Sequence, residues 1–199
     1  ELPSGLDVAI ASLVEPLAVA VHGVDRAQVR EGDRVLVIGA GPIGLAIGAV
    51  LRGRGIAYDI TARYPHQQQA AERLGGKLRA DGHYDVVMDA IGSASSLKQA
   101  TARVRPMGRI GLVGMFWEPT KLEQQFWAKE AVLIPAAGYY CKSPSRSFDE
   151  ARTLLHQCPD IAQALITHRY PLDGVTEAFH TAGNRAAGAI KVVFNISKR

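Results

Sequence analysis

The chain has 199 residues, 47% of them hydrophobic, and a formal net charge of +4 at pH 7 with a pI near 9.2. That is enough for one large α/β domain, or one domain plus part of another, with a proper core; no run approaches the roughly 18 apolar residues of a membrane span and no basic leader opens the chain, so a soluble cytoplasmic protein with no membrane partner is expected. Its Lys and Arg are scattered rather than striped, the densest basic stretch (142–146) lacks interleaved aromatics, and Cys141 and Cys158 have no C-x-x-C spacing, so neither a nucleic-acid partner, a disulfide framework nor a structural zinc lobe is signalled.

In chain order, residues 1–7 read as an irregular entry segment. Glu15-Pro16-Leu17-Ala18-Val19-Ala20-Val21-His22-Gly23-Val24 reads as a helix, with Pro16 at its first position, where a missing N–H costs nothing. Glu15 then caps the positive end of the helix dipole, and His22 is a packing residue. A turn, 30–34, feeds Val35-Leu36-Val37-Ile38, a strand buried on both faces. It runs into Gly39-Ala40-Gly41-Pro42-Ile43-Gly44 and the apolar helix Leu45–Leu51, closed by Gly53 and Gly55.

Strand, G-x-G-x-x-G turn and helix, in that order, are what a dinucleotide site requires. Gly39 permits the tight turn, Gly41 lets backbone approach a pyrophosphate, and Gly44 lets helix and strand pack closely. The free N–H groups and positive dipole end of the helix face the phosphates. Glycines at this spacing also mark ordinary turns; the strand and helix on either side favour the dinucleotide.

A second strand, Ile56–Ala62, precedes Pro65. An NAD site wants a carboxylate at the end of this strand, but Asp59 falls mid-strand, about 10 Å short. The strand end carries Ala62 and Arg63 instead. A guanidinium there accepts a 2′-phosphate, which favours NADP(H) over NAD(H), with Tyr64 over the adenine and His66 as a further donor. A solvated surface arginine is the plain alternative for Arg63. Residues 67–74 read as a helix ended by Gly75-Gly76, and Asp85–Gly92 as a buried strand and its turn. Only Lys77 to Tyr84 lie between, fewer than the dozen or so residues of a parallel crossover, so the adenosine-side lobe is shortened or residues are missing there. A helix at 97–104, a turn at 105–108, strands at 110–114 and 132–139, helices at 148–157 and 174–182 and a strand at 189–195 follow. This alternation predicts an α/β fold with a doubly wound parallel sheet, a Rossmann NAD(P)-binding fold.

Glu15 to His22, Gly32 to Gly44, Asp85 to Gly92, Arg105 to Arg109 and Gly188 to Val193 together resemble the cofactor-binding half of zinc-dependent medium-chain alcohol or polyol dehydrogenases, over nearly the whole chain. The resemblance implies hydride transfer between an alcohol or carbonyl substrate and a nicotinamide, and a homodimer or homotetramer, with Val132 to Gly138 resembling the strand that pairs across the dimer. It implies that Gly39, Gly41, Pro42, Ile43 and Gly44 hold the pyrophosphate, and that Ala62 stands at the acidic position beside Arg63. It further implies that Ala90, Ile91, Gly92, Val113, Gly114, Ala137 and Gly138 line the adenosine and nicotinamide side, that Lys191 lies near the phosphates, and that Glu15 lies beside or binds the catalytic zinc. The family's cysteine ligand and His-Glu pair belong to an N-terminal catalytic domain absent from this chain. With one candidate ligand the chain alone is expected not to hold zinc, so zinc belongs only to a full-length parent and no catalytic residue lies here. The expected division is residues 1–24 as entry segment and junction helix, 25–165 as the dinucleotide-binding domain, and 166–199 as a helix and strand returning toward the catalytic domain. A zinc-independent quinone or enoyl reductase and a non-catalytic NADP(H)-sensing module are the two alternatives.

Overall fold

The computed structural model describes residues 6, 8–139 and 144–196. Most of the expected entry segment, Cys141 and the start of the 142–146 basic stretch lie outside the described residues.

A 3-10 turn at Val8–Leu13 leads into α1 (Val14–Arg26). Then come β1 (Val35–Ile38), α2 (Pro42–Gly53), β2 (Tyr58–Thr61), α3 (Pro65–Arg73), β3 (Tyr84–Asp89), α4 (Ala94–Arg103), β4 (Val104–Leu112), α5 (Gln124–Ala128) and β5 (Val132–Pro135). The C-terminal part carries α6 (Pro144–Gln157), α7 (Asp160–Leu165), β6 (Ile166–Pro171), α8 (Val175–Gly183) and β7 (Lys191–Asn195). Strands β2-β1-β3-β4-β5 form one parallel sheet in that order, the doubly wound α/β fold expected from the sequence, and β6 pairs in parallel with β7 in a separate two-stranded sheet.

Apolar burial divides the helices between the two faces. Val35 and Val37 of β1, Ile60 of β2 and Met88 of β3 join α1, α2, α3, α6 and α7 in the larger core, while Leu36, Ile38, Val87 and Ile110 pack with α4 on the other face. Strands buried on both faces are why their sequences run as continuous apolar residues rather than alternating. Basic residues at the end of α2 bind it to three helices at once. Arg52 donates to both carboxylate oxygens of Asp160 on α7 at 2.6 and 3.0 Å, and Arg54 donates to Glu150 on α6 and Asp25 on α1.

The short return from Lys77 to Tyr84 reduces what would be a further strand to one parallel bridge, Lys77 opposite Asp59. Lys77 donates to the Tyr58 carbonyl, and Ile60 donates to the Lys77 carbonyl. Among the described residues, polar chemistry seals that face of β2. Asp59, only 5% exposed, accepts from Arg79 at 2.9 Å and from the Tyr84 hydroxyl at 2.8 Å, and the Arg34 guanidinium lies over the Tyr84 ring.

Several elements differ from the sequence reading. Pro16 is the third residue of α1 rather than the first. Val8–Leu13 prolongs α1, making one helical run of 19 residues with mean hydropathy 1.5, longer and more apolar than anticipated; α1 itself packs on α2 and α6. The turn expected at 105–108 is a bulge inside β4: Val104 stands opposite Tyr84 and Arg109 opposite Val86, so the residues between loop outward.

Candidate cofactor site

The sequence places small residues where β1 must turn sharply into α2. Gly39 has φ +96°, a conformation that favours glycine, and its N–H donates to Thr61 Oγ1 at 3.0 Å, fastening the turn to the end of β2. A Cβ on Gly44 would lie 1.8 Å from the Gly39 carbonyl oxygen, so strand and helix are in direct backbone contact. Gly41 differs: a Cβ there would meet nothing within 4 Å. Its lack of a side chain keeps open space above the start of α2, where Pro42 takes the first position and the positive end of the dipole points outward.

That space belongs to a cleft of about 660 Å³ at the carboxyl ends of β1, β2 and β3, where a doubly wound sheet binds ligands. Gly39, Gly41, Pro42, Ile43, Ala62, Arg63, Tyr64, Ala90 and Ile91, all singled out in the sequence, line it. At the end of β2, the Arg63 guanidinium lies 5.3 Å from the Tyr64 ring centroid, and the Tyr64 and His66 rings stack at 5.6 Å and 10°. Gln67, buried on α3, accepts from the backbone N–H groups of Arg63 and Tyr64 and so fixes their direction. The Arg63 guanidinium has no hydrogen bond or ion pair among the described residues, and His66 Nε2 is buried without a partner. No carboxylate among the described residues lines the cleft.

The end of β3 is set by a residue to which the sequence reading gave no role. Asp89 is fully buried; one carboxylate oxygen accepts from the N–H groups of Ile91 and Gly92 and the other from the Ser96 hydroxyl at 2.8 Å. Its carbonyl accepts from Val113 and Gly114, tying the ends of β3 and β4 together.

Other expected site residues lie elsewhere. Gly92 and Gly114 pack back to back: a Cβ on Gly114 would lie 2.3 Å from the Gly92 nitrogen, so each leaves room for the other's backbone. Val113 Cγ2 packs at Gly23 of α1, and Ala137 and Gly138 follow β5 outside the cleft. Lys191 lines a second groove, with Val8, Arg169 and Phe194, while its neighbour Ile190 lines the cofactor cleft. Glu15 is exposed on the first turn of α1, and no group of three His, Cys, Asp or Glu among the described residues is placed to hold a metal. The described residues therefore do not fit a zinc ion, which needs about three protein ligands. Conversely, Thr61, Gln67, Ala182, Arg185, Ala189 and Ile190 line the cleft without having been anticipated. Thr61 lay within the expected strand, one residue before its expected end, whereas Arg185 to Ile190 reach the cleft by a long-range return that no local pattern marks.

Comparison with known proteins agrees with this geometry. The family described as the glucose dehydrogenase C-terminus matches residues 8–196. L-arabinitol 4-dehydrogenase of Talaromyces emersonii is 32% identical over 91% of this chain and 53% of its own length, and sorbitol dehydrogenase of Halalkalibacterium halodurans 28% identical over 96% and 60%. The crystal structure of 2R,3R-butanediol dehydrogenase from Bacillus subtilis superposes with a TM-score of 0.83 at 26% identity, over 98% of this chain and 60% of that one. The chain thus spans a little over half the length of the relatives it matches.

Proposed function

This chain belongs to the zinc-type alcohol and polyol dehydrogenase family, as its C-terminal cofactor-binding part, and from that premise we propose that it holds NADP(H) in preference to NAD(H) for hydride transfer to or from a small alcohol or carbonyl substrate. The single observation that carries the preference is the unpaired Arg63 guanidinium at the end of β2, beside Ala62 where an NAD site would place a carboxylate. A carboxylate there accepts from ribose hydroxyls and repels a 2′-phosphate; a guanidinium does the reverse.

When bound, the nicotinamide supplies the hydride donor or acceptor, and the chain's own residues hold and orient it. Backbone N–H groups and the helix dipole at the start of α2 would hold the pyrophosphate in the space Gly41 leaves open, with no rearrangement of the chain. Tyr64, in contact with the Arg63 guanidinium and stacked with His66, would flank the adenine. Asp89 fixes the turn at Ala90 and Ile91, giving the cleft a preformed wall. Zinc and the groups that choose the substrate would belong to the part of the relatives' length that this chain does not span, since Glu15 is the one candidate ligand among the described residues. β5 pairs only with β4 among the described strands, leaving an edge through which two copies can join as a dimer.

Titration of the purified chain with NADPH and NADH, followed by nicotinamide fluorescence and calorimetric heat, tests the reading. Tighter binding of NADPH is expected. Equal affinity for both would end the NADP assignment, and no binding of either would end the cofactor assignment altogether.

A further inference from the structure

A second guanidinium enters the cleft from the opposite end of the sequence. Arg185 opens the 3-10 turn Arg185–Ala187 between α8 and β7 and lines the same cleft as Gly41 and Arg63. Like Arg63 it is exposed and has no hydrogen bond or ion pair among the described residues. The two differ in what carries them. Arg63 follows β2 directly and is held over the Tyr64 ring, on the wall built by the main sheet. Arg185 stands on the C-terminal unit of β6, α8 and β7, whose small sheet shares no strand with the main one. Lys191, the basic residue expected near the phosphates, faces the other groove.

An unpaired cation facing a cleft that has no carboxylate in its lining is matched by an anion placed between the walls. NADP(H) carries its charge at two separate places, the 2′-phosphate, which the reading above assigns to the end of β2, and the pyrophosphate, which it assigns to the start of α2 and which NAD(H) shares. With Arg63 fixed at the first, we propose that Arg185 is the pyrophosphate-binding cation, so that the bound dinucleotide bridges the main sheet and the C-terminal unit. This rests on the cofactor reading above. Arg185 then strengthens binding of both nicotinamide cofactors equally, in contrast to Arg63, and the bound cofactor restrains the C-terminal unit.

The test is to titrate the unmutated chain and its Arg185→Ala, Arg185→Lys, Arg63→Ala and Lys191→Ala variants with NADPH and NADH at two salt concentrations, checking each fold by circular dichroism. Arg185→Ala is expected to weaken both cofactors alike, by about 10- to 100-fold, as loss of one charge-assisted hydrogen bond does, and to reduce the salt dependence of binding. Arg185→Lys should recover part of the loss, and Lys191→Ala should change nothing. Unchanged affinity in a folded Arg185→Ala protein, a loss confined to NADPH, or a loss on Lys191→Ala in place of Arg185→Ala would each overturn the proposal while leaving the cleft's assignment intact. Failure of the unmutated chain to bind either cofactor would overturn both.

Discussion

At the scale of single residues, the glycines of the first turn separate roles that their spacing merges. Gly41 can accept a side chain without touching the protein, so Gly41→Val should leave the thermal midpoint within a few degrees of the parent while abolishing cofactor binding. A folded variant that still binds would remove Gly41 from the phosphate site. Gly44→Ala has the opposite expectation: its Cβ meets the Gly39 carbonyl, and the strain should lower stability by at least about 1–3 kcal/mol, read from urea unfolding. Arg63→Ala should cost NADPH about 1.5–3 kcal/mol of binding and NADH almost nothing, because only one of them brings a charge to the end of β2. The turn itself was legible because its requirements are local: a tight backbone, a close helix and an open approach each demand glycine at a fixed offset. Asp89 was not, since a carboxylate turned back to hold its own strand's exit looks, in sequence, like any aspartate near a turn.

At the scale of elements, the alternation of buried apolar runs with amphipathic stretches located β1, β2, β3, β5, β7 and most helices to within a few residues, and β4 by its second half, and the shortness of the 77–84 connection foretold the reduced lobe. What escaped was β6. Ile166–Pro171 alternates half-buried and exposed residues and includes Thr167, His168 and Arg169, so it reads as polar chain until β7 arrives beside it twenty residues later. The way the reduced lobe is closed was equally invisible, because it depends on Asp59, Arg79 and Tyr84 meeting across the fold. Burial, with the Asp59 hydrogen bond second, pushes the Tyr84 hydroxyl up to about 12. A tyrosine whose folded value exceeds its unfolded value near 10 contributes stability that is whole below that value and is lost as pH rises toward 12. Tyr84→Phe should therefore be less stable at neutral pH, by about 1 kcal/mol, and should lose less than the parent between those limits. Parallel alkaline unfolding curves for the two proteins would refute this role.

At the scale of the whole molecule, α2 is the hub to which α1, α6 and α7 are pinned through Arg52 and Arg54. The Arg52 hydrogen bonds hold Asp160 below the usual carboxylate range, so this pair's contribution is present above about pH 3.9 and is lost as pH falls through the lowered folded value. Asp160→Asn should accordingly flatten acid unfolding below about pH 4; an unaltered acid limb would show that the pair adds nothing. The strands also differ in how firmly they are held. β1 and β3 are buried inside the five-stranded sheet, whereas β6 and β7 pair only with each other among the described strands and β6 alternates half-buried and exposed residues. The central amides of β1 and β3 should be the last to exchange with deuterium and those of β6 and β7 among the first, a hierarchy in which the cofactor, by bridging the two, would slow exchange most in the part that opens first.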